Sequence, residues 1–174
     1  MRVTPIALAS AIVLATLASA GHGQRPDDEI DARSVALTKE AQGLTSAGRF
    51  SEATDALESA LVLDPRNRAA YLGLARVAQG QKLPGKAIKL YSEALALEPN
   101  DVNALTGQGE ALVERGAVDR AKQNLERIKE LCKAPCPQAT TLAAVIAKGP
   151  PVVTAAAPKP PVSAPRPAPK PKRN

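Results

Sequence analysis

The sequence predicts an all-α protein built as a stack of antiparallel helix pairs, and three observations carry that expectation. The first is self-similarity: Ala53, Ala87 and Ala121 are spaced by 34 residues each, Ala60 and Ala94 share the spacing, and so do Pro65 and Pro99. A fixed period of this length with alanines at constant offsets marks helix pairs that stack on their neighbours. The second is composition. Of 174 residues 44% are hydrophobic but only 2% aromatic, and 34 are alanine, so the apolar content is small and helix-favouring. The third is the placement of proline: nine of the 16 lie between Gly149 and Asn174, which leaves the middle of the chain able to form helices.

The elements follow in order. Residues 1–20 read as a removable export signal: Arg2, an uncharged apolar run from Ile6 to Leu17, then the small-x-small triplet Ala18-Ser19-Ala20. The alternative is an uncleaved anchor, but the run is shorter than the roughly 20 residues a bilayer span needs. Residues 21–29 are expected to be a flexible N-terminus, with Asp27, Asp28 and Glu29 placing negative charge before the first helix, where the helix dipole favours it. In the first pair Leu37, Ala41 and Leu44 share a face. A break at Gly48 precedes a second helix carrying Ala53, Leu57, Ala60 and Leu61. Asp64-Pro65 closes it, because the residue before proline avoids the helical region. Asn67 can cap the next helix, and Asn100 or Asp101 the one after. The segment ALESALVLDP (56–65) superimposes on LYSEALALEP (90–99). Three such units leave an apolar last helix uncovered, so a cap is expected at 137–148, with Pro137 at its start and Leu142, Val145 and Ile146 on one face.

The spacing and residue pattern over roughly 34–133 resemble the tetratricopeptide repeat family. The first helices carry Leu37, Glu40, Ala41 and Leu44, then Tyr71, Leu74, Ala75 and Ala78, then Leu105, Gln108, Gly109 and Leu112. The second helices carry Ala53, Leu57, Ala60, then Ala87, Tyr91, Ala94, then Ala121, Leu125, Ile128. Glu40, Gln108, Ile128 and Lys133 depart from the family pattern. The resemblance implies a right-handed superhelical stack, a repeat domain over 30–148, and repeats at about 34–67, 68–101 and 102–135. It also implies a concave groove lined by the first helix of each pair. The matching positions are Thr38, Lys39, Gln42, Thr45 and Ser46; Leu72, Gly73, Arg76 and Gln79; and Asn103, Thr106, Gly107, Glu110 and Val113. Gln42, Arg76 and Glu110 recur at one register and form a polar row suited to an extended peptide or a partner's helix. Gly73 and Gly107 are expected either to let a ligand backbone approach or to reflect drift in an exposed helix. Family members that grip the C-terminal tails of cytosolic chaperones use cations here; Thr38, Gln42, Gly73, Asn103 and Gly107 include none, which argues against that mode.

Charge separates body from tail. Of the net +6, residues 21–148 contribute nothing, with 17 cations against 17 acids, while 149–174 holds five cations and no acid. That proline-, alanine- and lysine-rich tail is expected to be disordered and polyproline-like, reaching about 80 Å when stretched at ~3.1 Å per residue. A balanced body almost without aromatics argues against a nucleic-acid-binding domain. Cys132 and Cys136 suit one structural bridge in an oxidising compartment, worth about 2 kcal/mol for so short a loop. The competing reading is a redox-active pair, for which the spacing is one residue too long and the β-α-β context is missing. One histidine, no metal-ligand cluster and no phosphate loop leave no catalytic residue, cofactor or metal to assign. The expectation is therefore an exported, non-enzymatic adaptor, periplasmic or secreted, holding a protein partner in its groove. The rival is an envelope-attachment protein whose basic tail binds an anionic cell-wall or lipid surface.

Overall fold

The computed structural model describes residues 29–132 and 135–151, and among them forms seven helices and no strand. Helices α1 (Ala32–Ser46) and α2 (Phe50–Leu63), α3 (Arg68–Gly80) and α4 (Pro84–Leu97), and α5 (Val102–Glu114) and α6 (Val118–Leu131) make three hairpins, and α7 (Pro137–Lys148) follows alone. The export signal at 1–20, the N-terminal segment up to residue 28, Lys133 and the tail beyond Pro151 lie outside the described residues. No helix among the described residues is long and apolar enough to cross a membrane.

The helix starts are written in side chains. Asp31 accepts from the Arg33 amide at 2.7 Å, Asn67 from the Ala70 amide at 3.2 Å, and Asp101 from the amides of Asn103 and Ala104 at 2.8 and 3.1 Å. Each satisfies amide donors that the first turn leaves without partners. Pro84 and Pro137 open α4 and α7, where a missing amide costs nothing. Asp64 and Glu98, each preceding proline, are extended and end α2 and α4. Within each hairpin the turn needs one left-handed residue, supplied by Gly48, Lys82 and Gly116 at φ 73°, 60° and 83°.

Packing is local along the stack. Each helix meets its chain neighbours, and the odd-numbered helices also meet one another in succession, whereas no two even-numbered helices touch. The odd helices are thus drawn together on the inside of a curve and the even ones splay on the outside. Fully buried alanines make the close crossings possible: Ala41, Ala53 and Ala60, then Ala75, Ala87 and Ala94, then Ala111 and Ala121. Between them stand Leu57, Tyr91 and Leu125, at successive intervals of the repeat and all buried.

The departures from the family pattern have separate explanations. Glu40 is exposed. Gln108 takes the place of Leu74 in the core, and its amide is satisfied: it donates to the Ser92 hydroxyl at 2.9 Å and accepts from the Asn124 amide at 3.0 Å. Ile128 fills the place of Ala60 and Ala94 and packs with Leu105, Leu125 and Leu142, so the larger side chain meets α7 instead of another hairpin. Cys132 and Cys136 are bonded, their Cα atoms 5.8 Å apart, and both pack at the edge of that cluster. The bridge ties the end of α6 to the start of α7.

Candidate interaction groove

The inner face is made by α1, α3, α5 and α7, and the 34-residue period aligns the polar positions of the first three. Gln42 and Arg76 are exposed and Glu110 is half-buried. Between them the hydroxyl of Tyr91 rises from the core between α3 and α5 and donates to Gln79 Oε1 at 2.7 Å, within electrostatic reach of both Arg76 and Glu110. Burial pushes the Tyr91 phenol up to about 12; Glu110 and Glu114 add to the rise and Arg76 opposes it. Burial also raises the Glu110 carboxyl above its ordinary range, Glu114 one turn away raises it further, and Arg76 pulls it back. The groove floor is therefore a coupled polar cluster in which one carboxylate is desolvated and only partly compensated.

The remaining expected groove residues divide. Asn103 is exposed, and Thr106 is half-buried with its hydroxyl turned to the Val102 carbonyl at 2.7 Å. Thr38 does not face the groove as a free group. It is 4% exposed, donates to the Ser34 carbonyl at 2.9 Å and accepts from the Asn67 amide at 3.0 Å. Asn67 also donates to the Ser34 hydroxyl at 2.7 Å, which in turn donates to the Ala60 carbonyl, so Thr38 belongs to a buried seam between the first two repeats. Leu72 is core, packed with Ala87 and Tyr91.

The two glycines are a correction. A methyl group at Gly73 would lie 2.6 Å from Leu57 Cδ2, and one at Gly107 would lie 2.3 Å from Tyr91 Cζ. Neither position opens space for a ligand, and neither is idle: each glycine receives the large side chain of the preceding helix. Tyr91 and Glu114, in turn, are site residues that the repeat pattern alone does not mark. The clue to Tyr91 was chemical, since a core phenol must place its hydroxyl on a partner; Glu114 follows from Glu110 by one helical turn.

Beyond Glu114 the same face deepens into a cleft of about 670 Å³ at the C-terminal ends of α5 and α7. Val113 and Val145 line its apolar part with Pro84, while Lys82, Glu114 and Lys148 contribute charge. Gly149, Pro150 and Pro151 form part of its wall. Gly149, at φ 76°, turns the chain out of α7 toward it.

Comparison with known proteins joins this geometry to a family. Two models described as tetratricopeptide repeat match residues 38–94 and 78–146. The chain belongs to the tetratricopeptide repeat family. DnaJ homolog subfamily C member 3 of Rattus norvegicus is 33% identical over 99 residues, which are 54% of this chain and 19% of that protein, so the chain spans about a fifth of the length of this relative. The second TPR domain of human RPAP3, solved in complex with the HSP70 peptide SGPTIEEVD, superimposes with a TM-score of 0.60 at 20% identity, over 66% of this chain and 95% of that one. The Yersinia enterocolitica type III secretion chaperone SycD, in complex with a peptide of the translocator YopD, gives 0.57 at 22% identity, over 66% and 86%. At these identities the two structures show a shared tetratricopeptide fold.

Proposed function

We propose that this tetratricopeptide protein is an exported, non-enzymatic adaptor that holds an extended peptide or a helix of a protein partner against its odd-helix face. The observation that carries the reading is the cluster of Arg76, Gln79, Tyr91 and Glu110 on that face. A half-buried carboxylate with incomplete compensation gains from any donor that a ligand brings, and a neighbouring guanidinium offers the complementary contact to a carbonyl or carboxylate. The peptide complexes of the RPAP3 domain and of SycD support the choice of a peptide as occupant. Export rests on the apolar run and small-x-small triplet of residues 1–20.

The test compares two faces of one molecule. Capture of partners from an envelope extract by the chain starting at residue 21 is measured for Arg76→Glu combined with Glu110→Arg, and for Glu93→Arg on the exposed outer surface of α4. Loss of capture with the first variant and retention with the second is the expected result. Equal capture by both would remove the groove from the function, and retention on the envelope that depends only on residues 149–174 would favour the attachment reading instead.

A further inference from the structure

The two ends of the stack differ. At the far end α7 covers the last hairpin and buries Leu142 against Leu105, Leu125 and Ile128. At the near end α1 and α2 leave a shallow groove of about 430 Å³ between them, and among the described residues no further element packs there. Leu37, Leu44 and Ala56 form its apolar floor and are only half-buried. Three exposed acids, Glu40, Glu52 and Asp55, rim it with one cation, Arg49, which pairs with Glu52. The 34-residue period shows what such a face receives. Glu40 stands at the register of Leu74 and Gln108, and both of those lie buried under the second helix of the preceding hairpin. Leu74 packs with Ala53, Leu57 and Ala60 of α2, and Gln108 donates to the Ser92 hydroxyl of α4 at 2.9 Å. We propose that this end face is a second docking surface, separate from the inner groove, for a helix of a partner protein laid as α2 lies on α3. That helix carries an apolar stripe and, at the register of Ser92, a lysine or arginine directed at Glu40.

The chemistry of the face selects this occupant. A helix that covers Leu37 and Leu44 also strips water from Glu40, and a buried carboxylate must be given a donor, best a charged one. Ser92 over Gln108 is the neutral form of the same arrangement within the molecule. A second copy is the wrong partner, because two such faces would set three acids against three acids with one cation on each side. The fit has a steric condition as well. Leu57 and Tyr91 seat on Gly73 and Gly107, but the equivalent position on this face is Lys39, which is exposed and carries a side chain. The partner helix therefore needs a small residue where α2 has Leu57 and α4 has Tyr91.

The probe is a synthetic peptide of residues 84–97 carrying Tyr91→Ala and Ser92→Arg, which joins the stripe of Ile88 and Leu95 to the small residue and the cation that the face requires. Titrated into the chain from residue 21 to 174 with methyl-labelled leucine, it should shift the Leu37 and Leu44 signals saturably and leave Leu112 and Leu142 where they were. Glu40→Arg, at an exposed position, should keep the parent's denaturation midpoint and weaken binding at least about tenfold. A peptide with Ser92→Glu in place of Ser92→Arg should restore binding to that variant. Arg76→Glu with Glu110→Arg should bind the peptide as the parent does, so the result stands or fails apart from the adaptor reading. Absence of a saturable shift, or equal binding by Glu40→Arg, overturns the proposal. So do Leu37 and Leu44 shifts that grow with protein concentration alone, which would give the face to a second copy, and Overhauser contacts to it from residues 21–28, which would give it to this chain's own N-terminus.

Discussion

Two junctions of this stack occupy the same register and do the same packing work, yet only one of them reaches the groove. Leu57 packs over Gly73 where the first repeat meets the second, and Tyr91 packs over Gly107 where the second meets the third. Both side chains are nearly sealed from solvent. The leucine ends in the core. The phenol continues past it, so its hydroxyl reaches Gln79 and the charges of Arg76, Glu110 and Glu114. A single exchange of leucine for tyrosine within a repeat thus converts a packing residue into the anchor of a polar cluster, and the core and the site become one structure at that point.

The largest predicted effect follows from how differently the two side chains can yield. In Gly107→Ala the new methyl collides with the Tyr91 phenol, against both its hydroxyl and two carbons of a rigid ring, whereas in Gly73→Ala it meets leucine methyls at 2.6 and 3.1 Å, which can change rotamer. Alanine gains about 1 kcal/mol of helix propensity in both. Gly107→Ala should lose about 2–3 kcal/mol net, and Gly73→Ala should stay within about 1 kcal/mol of the parent, as read by urea denaturation. Adding Tyr91→Leu to Gly107→Ala rebuilds the first junction at the second site and should recover part of the loss through positive coupling. Equal costs for the two alanine variants would break the comparison.

A smaller effect isolates the hydroxyl. Tyr91→Phe keeps the ring over Gly107 and removes the bond to Gln79, a loss of about 1 kcal/mol. It should also change the pH dependence. The folded phenol titrates near about 12, above its unfolded value of 10.0, so its contribution is complete below about pH 10 and is lost as pH rises toward 12. Denaturant midpoints followed across that interval should fall less steeply in Tyr91→Phe than in the parent. Glu110 has the same sign in the carboxylate range: its folded form holds its proton longer, so ionisation there opposes folding and Glu110→Gln should stabilise at neutral pH. A Glu110→Gln variant less stable than the parent would mean that the carboxylate is better compensated than its surroundings indicate.

How much of this was legible in the sequence depends on whether the signal is periodic. The helix pairs, the buried alanines and the shared register of Arg76 and Glu110 recur every 34 residues, and the fold follows from that recurrence. What the period could not tell is which side of a helix a small or polar residue serves. Thr38 reads as a groove position, but Asn67 closes over it from the next repeat, a contact set by the way two hairpins abut. Gly73 and Gly107 read either as space for a ligand or as drift in an exposed helix, because a missing side chain looks alike whether a peptide, solvent or a neighbouring helix fills the place. Gln108 reads only as a departure from the family pattern, and it is the arrival of Ser92 and Asn124 from α4 and α6 that makes it a satisfied core residue. In each case the deciding partner lies on another element.

The smallest effect tests the comparison at a third recurring position, the turn within each hairpin. Gly48 and Gly116 take the left-handed conformation freely, and a Cβ at either would meet nothing within 4 Å. Lys82 adopts the same conformation at φ 60° with a side chain, at a cost of about 1 kcal/mol for a residue that is not glycine. Lys82→Gly relieves that cost but also loosens the unfolded chain, so the net gain should be only about 0.5 kcal/mol. Gly116→Ala, which imposes on the third hairpin the strain that the second already carries, should lose about 1 kcal/mol. Thermal denaturation of the two variants side by side reads both signs. Should Lys82→Gly lose stability instead, the lysine must contribute more at the cleft than its backbone costs, and the natural place for that contribution is the wall that it shares with Pro84 and Pro151.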